Sequence, residues 1–290
     1  MLVFDVHTHI FPDAIAARTV DKLGEKAGIS PFYDGTRKGL QASMATAGID
    51  GALNCPIATR PDQVDSIIDW AARNNYWPIL SLGSIHPDSP EPDRALTRLK
   101  KAGLPGIKLH PEYQQFTLDD PRMSRIWQAC RDLDLLIMLH AGADIAFSPP
   151  FRTDPVAIVR LIEQYPGLKL IAAHFGSWRM WEQVAQVMAG ASVWIDTSFT
   201  MGLLDDQQLI TLIRRHGAER VLFGTDTPWR SQKQDLQHFY SLELSEKEKR
   251  MILWKNAESL LNLSLTEDKS ATDEQPSPAI TETFAAGAPK

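Results

Sequence analysis

The chain has 290 residues, 43% of them hydrophobic, and a formal net charge of −6. That is enough apolar material for one large domain or two small ones, and a pI near 5.8 argues against wholesale nucleic-acid binding. Two cysteines, Cys55 and Cys130, do not make a disulfide framework, the start MLVFDVHTH lacks a secretory leader, and no apolar run approaches the ~18 residues of a membrane span, so a cytoplasmic protein is expected.

Residues 2–6 are an apolar run with one acid, read as a buried strand leading into His7-Thr-His9. Residues two apart share a strand face, so Asp5, His7 and His9 form one row. Two imidazoles about 6 to 7 Å apart along a strand can lean onto a single cation. Asp5, one step deeper, suits a supporting role better than a ligand's. A helix is expected over 14–26, and the stretch GISPFYDGTRKG at 28–39 reads as a loop insertion, either a lid or disordered. A short helix at 40–47 leads into a strand at 51–55. Val64, Ile67, Ile68 and Ala71 mark an amphipathic helix, and a strand at 79–85 and a helix through 94–100 follow.

The second half keeps the rhythm. Strands are expected at 106–110, 133–140, 168–174, 193–196 and 220–224, the second of them an almost continuous apolar run, as in a parallel strand buried on both faces. Asp120-Pro121 and Asp154-Pro155 each open a helix, Asp as N-cap and Pro at the first helical position. Helices at 181–188 and 207–216 complete the pattern, and Ser245 with Glu248 forms a capping box for a last helix. Eight strands alternating with helices over roughly 250 residues predict a single closed (β/α)8 TIM barrel, an α/β fold. An open doubly wound sheet is the alternative, but no phosphate-binding glycine fingerprint follows any strand. The barrel is expected to occupy 1–264, and 265–290, rich in Pro, Ser, Thr, Ala and acids, to be a disordered tail.

A barrel gathers its chemistry at the carboxyl ends of its strands. Five of eight histidines fall there: His7 and His9 on the first strand, His110 on the fourth, His140 on the fifth and His174 on the sixth. Asp226 lies just after the eighth. Three imidazoles and one carboxylate, with a position left for water, suit Zn2+ or a similar borderline cation, Mn2+ and Fe2+ being the alternatives. His86 and His216 read as loop or core residues.

These positions resemble the amidohydrolase superfamily of metal-dependent barrel hydrolases. The resemblance rests on His7-Thr-His9, on His140 in MLHAG, His174 in AAHFG and Asp226 in FGTDTPW, and on the closing helix LWKNAESLLNL. Within the superfamily the chain is most similar to the "amidohydrolase 2" branch, which holds aminocarboxymuconate-semialdehyde decarboxylase, related aromatic-acid decarboxylases and lactone hydrolases. The resemblance implies one divalent cation held by His7, His9, His140 and Asp226. Members with two metals carry a bridging carboxylated Lys, or a Glu, from the fourth strand. Here GIKLHPEYQ places Lys108 one step too deep and His110 at the better position, so a single metal is expected. Lys108, His110 and Glu112 remain as second-metal or substrate contacts, and Lys108 could instead pair with Asp5.

A bound cation would lower the pKa of its water from 15.7 towards about 7. Asp226 can shuttle that proton, and His174 can orient the water or polarise a substrate carbonyl. Arg152, Arg179 and Arg230, in the loops after the fifth, sixth and eighth strands, offer forks for substrate carboxylates. Trp178, Trp229, Phe151 and Tyr113 lie in loops at the same end and can line an apolar pocket. The expected activity is metal-dependent hydrolysis of a small carboxylate-bearing ester, lactone or amide, and the alternative is decarboxylation of an aromatic or unsaturated acid by the same parts. A small-molecule substrate is expected, with no nucleic-acid or membrane partner; assembly into a homo-oligomer is left open.

Overall fold

The computed structural model describes residues 1–263; the expected tail lies outside the described residues. Strands run β1 Phe4–Thr8, β2 Gly51–Asn54, β3 in two pieces, Ile79–Ser81 and Gly83–Ser84, β4 Gly106–Leu109, β5 Leu136–Leu139, β6 Leu170–Ala172, β7 Trp194–Asp196 and β8 Val221–Leu222. Every consecutive pair is parallel. The two pieces of β3 part at Leu82, whose N–H still reaches the Asn54 carbonyl at 2.9 Å, so the ladder continues through the break. The last strand returns to the first: Val6 N–H donates to the Phe223 carbonyl at 2.9 Å, Asp226 N–H to His7 at 2.8 Å and His9 N–H to Thr227 at 2.8 Å. The sheet is therefore a closed barrel, as the strand count predicts.

Side chains alternate along each strand as the pleat requires. On β4 and β5, Ile107, Leu109, Ile137 and Leu139 join the large cluster shared with the helices. Lys108, His110, Met138 and His140 occupy the alternate positions of the same strands. A smaller cluster links Leu136, Met138 and Ile171 to Trp254 and Ala257 of the last helical segment. The barrel wall is tight at Gly106, where an added Cβ would lie 1.9 Å from the Leu136 carbonyl oxygen.

The helix starts follow their caps. Asp154 accepts from Ala157 N–H at 2.8 Å ahead of Pro155, and Asp120 accepts from Arg122 N–H ahead of Pro121. Ser245 and Glu248 make the expected capping box. Differences from the sequence reading are local. The strands are shorter, the segment after β6 is a short α-turn followed by a π-turn at Val184–Met188, and a π-turn also interrupts the last helix at Met251–Lys255. The helix Gln232–Ser241 has a weak amphipathic pattern, and no expectation covered it. The loop from residue 28 is ordered against the top of the barrel: Phe32 N–H donates to the Pro228 carbonyl at 2.8 Å and the Tyr33 hydroxyl to the His9 carbonyl at 2.6 Å. Cys55 and Cys130 are free and buried. Among the described residues no helix is long and apolar enough to cross a membrane.

Two expectations test this packing. Gly106→Ala should lower unfolding free energy by about 3 kcal/mol or more, because backbone must move to admit the methyl; a denaturant titration with an unchanged midpoint would contradict it. Glu248, paired with Arg214 at 3.1 Å and bonded to Ser245, is held down at about 2, chiefly by the Arg214 bond. Its folded-state value is depressed, so its contribution is present above the unfolded value and is lost as pH falls towards 2. The deficit of Glu248→Gln at pH 7 should therefore narrow between pH 4.5 and 2, and a deficit independent of pH would contradict the pairing.

Candidate metal and substrate site

β1 delivers His7 and His9 to the top of the barrel and the chain after β8 delivers Asp226. His9 Nε2 lies 2.8 Å and His7 Nε2 3.4 Å from Asp226 Oδ1. Donor atoms of His7, His174 and Asp226 all lie within 4.8 Å of one another, and all three residues are buried. His140 faces this group from β5, its Nδ1 3.0 Å from His174 Nε2. Its other nitrogen turns to the Ala143 carbonyl at 3.2 Å and towards Asp144 at 3.8 Å. His140 thus belongs by distance to a second group with His110 and Asp144. The four expected ligands are at one end of the barrel, but the mutual cluster is His7, His174 and Asp226, with His9 joined to Asp226.

Two residues without an expected role fix the imidazoles. Asp196, the last residue of β7, takes the His7 Nδ1–H at 2.9 Å through Oδ2. Its Oδ1 accepts from the backbone N–H groups of His174 and Ser198, each at 3.0 Å, and from the Ser198 hydroxyl. Ser198 Oγ in turn accepts from His174 Nδ1–H at 2.9 Å. With Nδ1 protonated on both rings, each Nε2 lone pair turns into the site, where His7 Nε2 meets Lys108 Nζ at 3.1 Å and His174 Nε2 meets His140 Nδ1 at 3.0 Å. The only advance signal was an acid at a strand's carboxyl end; nothing local in the sequence marks which histidine it serves.

Charge states match a cation site. Burial, reinforced by nearby Lys108, holds His7 at about 4. Burial also lowers His110, His140 and His174. Burial alone would raise the two acids, but the His7 imidazole holds Asp196 at about 2, and His7 and His9 hold Asp226 far below the carboxylate range. Neutral imidazoles around an ionised carboxylate are the forms that ligate metal. The donor set therefore fits a divalent cation.

The remaining candidates are placed as follows. Lys108 is fully buried, its Nζ 3.1 Å from His7 Nε2, and does not pair with Asp5. Asp5 instead accepts from Thr225 and Gln232. Glu112 is buried and holds Arg152, accepting its backbone N–H at 2.6 Å with the guanidinium Nε 3.6 Å away. Arg230 is bound to Asp235 and to the Met201 carbonyl, and Arg179 lies over the Trp178 ring at 4.5 Å. Of the arginine forks expected to take a substrate carboxylate, Arg230 is thus engaged by Asp235 and the Met201 carbonyl, while Arg152 lies beside Glu112 and Arg179 stacks on Trp178.

A small cavity of about 50 Å³ opens beside these groups. Ala143, Ile145, Trp178 and Phe199 give its apolar walls, and His140, His174, Asp144 and Asp226 its polar ones; none of these is Lys or Arg. Gly142 lets the loops after β5 and β6 touch. It has φ +85, and a Cβ there would lie 2.3 Å from Trp178 N, while Ala143 N–H bonds the Trp178 carbonyl at 3.1 Å. His174 (φ +59) and Asp226 (φ +69) themselves have left-handed backbone, a strained state for non-glycine residues.

Comparison with known proteins agrees with the barrel fold. The family described as Amidohydrolase matches residues 4–263. A gamma-resorcylate decarboxylase from Rhodococcus jostii is 24% identical over 223 residues, 60% of this chain and 68% of that one. A second, from Polaromonas sp., is 29% identical over 126 residues, 36% of this chain and only 37% of the relative's length. Among solved structures, dihydroxybenzoic acid decarboxylase from Polaromonas sp., with bound manganese and the inhibitor 2-nitroresorcinol, superposes with a TM-score of 0.69 at 18% identity, covering 92% of this chain and 98% of that one. At that identity the likeness shows the fold. The relatives' activities overturn the expectation of ester, lactone or amide hydrolysis: they are decarboxylases, so the lyase alternative is the better supported. A divalent cation is supported, whereas the expectation of zinc in particular is not, since the solved relative holds manganese.

Asp196→Asn should leave the fold intact but lower metal affinity about 10- to 100-fold, as loss of a ligand-orienting partner does. Competition against a graded chelator checks this, and unchanged affinity would show that His7 needs no such support.

Proposed function

The chain belongs to the amidohydrolase family, and on that footing we propose that it is a metal-dependent decarboxylase of a small aromatic acid. The observation that carries the reading is a buried His7–His9–Asp226–His174 donor group opening onto a cavity walled by Trp178 and Phe199. A flat ring fits such walls, and a cavity without Lys or Arg leaves the cation as the counter-charge for the acid group.

His7, His9 and Asp226 would hold the cation, with the His140–His174 pair supplying the remaining donor. When bound, the cation supplies Lewis-acid stabilisation to the anionic substrate. The chain's own residues do the rest. Trp178, Phe199 and Ile145 orient the ring and exclude water. Asp226 carries the proton that must reach the ring carbon bearing the carboxylate. Asp226 is ionised at rest, so it first takes that proton from solvent and then passes it to the carbon. As the carbon–hydrogen bond forms, the bond to the carboxylate breaks, its electron pair returns to the ring, and CO2 leaves. The free buried thiols Cys55 and Cys130 support placement in the reducing cytoplasm.

Turnover of an aromatic acid in D2O should release CO2 and leave one deuterium on the vacated ring carbon. Incorporation of 18O from labelled water into the organic product, without CO2, would sink the proposal. Asp226→Asn should reduce kcat about 100- to 10,000-fold. Of His140→Ala and His174→Ala, one should lose the metal and the other keep it while losing turnover, which assigns the fourth ligand.

A further inference from the structure

One pair of side chains has no part in that chemistry. His110 ends β4, and its Nε2 lies 3.1 Å from Asp144 Oδ2, in the loop after β5. His110 Nδ1 is buried with no partner, so the ring's proton is on Nε2 and is donated to Asp144. Asp144 also accepts Ala146 N–H at 2.7 Å through Oδ1. Its side chain is only 11% exposed, and it lines the same cavity as Trp178, Phe199 and Asp226.

His110, His140 and Asp144 could be taken for a second metal site, since their donor atoms cluster. Ring geometry argues otherwise. The His110 and His140 rings are 3.9 Å apart between centroids and 11° from parallel. Lone pairs on parallel rings run side by side, whereas a cation about 2.1 Å from each nitrogen needs them to converge. What the arrangement does provide is an anionic acceptor. Each carboxylate oxygen has two lone-pair sites, so the two bonds already made leave Asp144 with capacity facing the cavity.

Like charge keeps the acid group of a ligand away from Asp144, so the part of the ring turned towards it must bring a hydrogen-bond donor or be rejected. We propose that Asp144, held in place by His110, is a specificity-determining acceptor for a hydroxyl on the substrate ring. The substrate is then a hydroxylated aromatic acid, bound with its carboxylate towards His7, His9 and Asp226 and its hydroxyl towards Asp144. The inference rests on the aromatic-acid reading of the site. A methoxy group in place of the hydroxyl has no proton to give and leaves the carboxylate unpaired, as does a second carboxylate.

Binding rather than turnover tests it. Affinities of the manganese-loaded protein for 2-, 3- and 4-hydroxybenzoate and the three matching methoxybenzoates are measured by calorimetry. At least one hydroxybenzoate should bind roughly 10- to 100-fold more tightly than its methoxy counterpart, the range for a hydrogen bond to a charged group. In Asp144→Asn, whose amide can both donate and accept, that preference should fall to about threefold or less. Asp144→Ser, which keeps an acceptor for Ala146 N–H, serves if the first variant fails to fold and should flatten the preference likewise. Metal content should be the same in all three proteins.

Equal binding of hydroxy and methoxy partners by the wild type, or no binding of either, overturns the proposal. So does a preference that survives in the variants, or loss of a metal equivalent in either, which would make Asp144 a ligand. If CO2 is never released yet the preference vanishes with Asp144, the acceptor stands and the reaction falls. If CO2 is released and the preference ignores Asp144, the reaction stands and the acceptor falls.

Discussion

The site depends on the seam where the barrel closes, and the seam depends on Asp5. This fully buried carboxyl accepts from His7 N–H and Thr225 N–H through one oxygen, and from the Thr225 hydroxyl and the Gln232 amide through the other. It ties β1 to the chain leaving β8 and to the first residue of the helix Gln232–Ser241. Burial pushes Asp5 up to about 7 against the pull of those four donors, so desolvation outweighs what the hydrogen bonds return. Only because this joint holds can His9 and Asp226, 217 positions apart, meet at hydrogen-bond distance. A slip of one residue at the seam would turn His7 to the other face of β1.

From the seam outward, order passes through hydrogen bonds rather than through packing alone. Asp196 orients His7 and, through Ser198, His174. Thr197 and Thr8 bond neighbouring strands with their hydroxyls. Buried polar groups linked in this way rigidify a site because each one's alternative is a costly unmet bond. Loops supply the apolar walls, and the contact at Gly142 makes the loops after β5 and β6 one surface.

Much of this was legible in the sequence because it is periodic. Strand and helix rhythm gave the barrel, and histidines at the ends of four of its strands gave His7, His9, His110, His140 and His174 as one end of it. Strand period cannot say which way a ring turns about its side-chain torsions. Hence His140 was expected with His7 and His9, while its nitrogens meet His174 and the Asp144 loop. The arginines pose a related problem: a loop's sequence does not reveal that Asp235 pairs with the Arg230 guanidinium or that Glu112 accepts from the Arg152 backbone. Asp144 and Ser198 carried no signal, since both act across 24 or more residues, Ser198 on His174 and Asp144 on His110. The reaction class was a chemical ambiguity: the same ligands serve water and ring chemistry alike.

The left-handed backbone at His174, Phe175 and Asp226 carries an evolutionary consequence. Glycine at any of these places would relieve local strain. At Asp226 it would also remove the carboxylate around which three imidazoles collect. A screen rewarding heat resistance alone would therefore be drawn towards residues proposed to hold the cation. Laboratory lineages selected without substrate should drift towards sturdier, inert barrels.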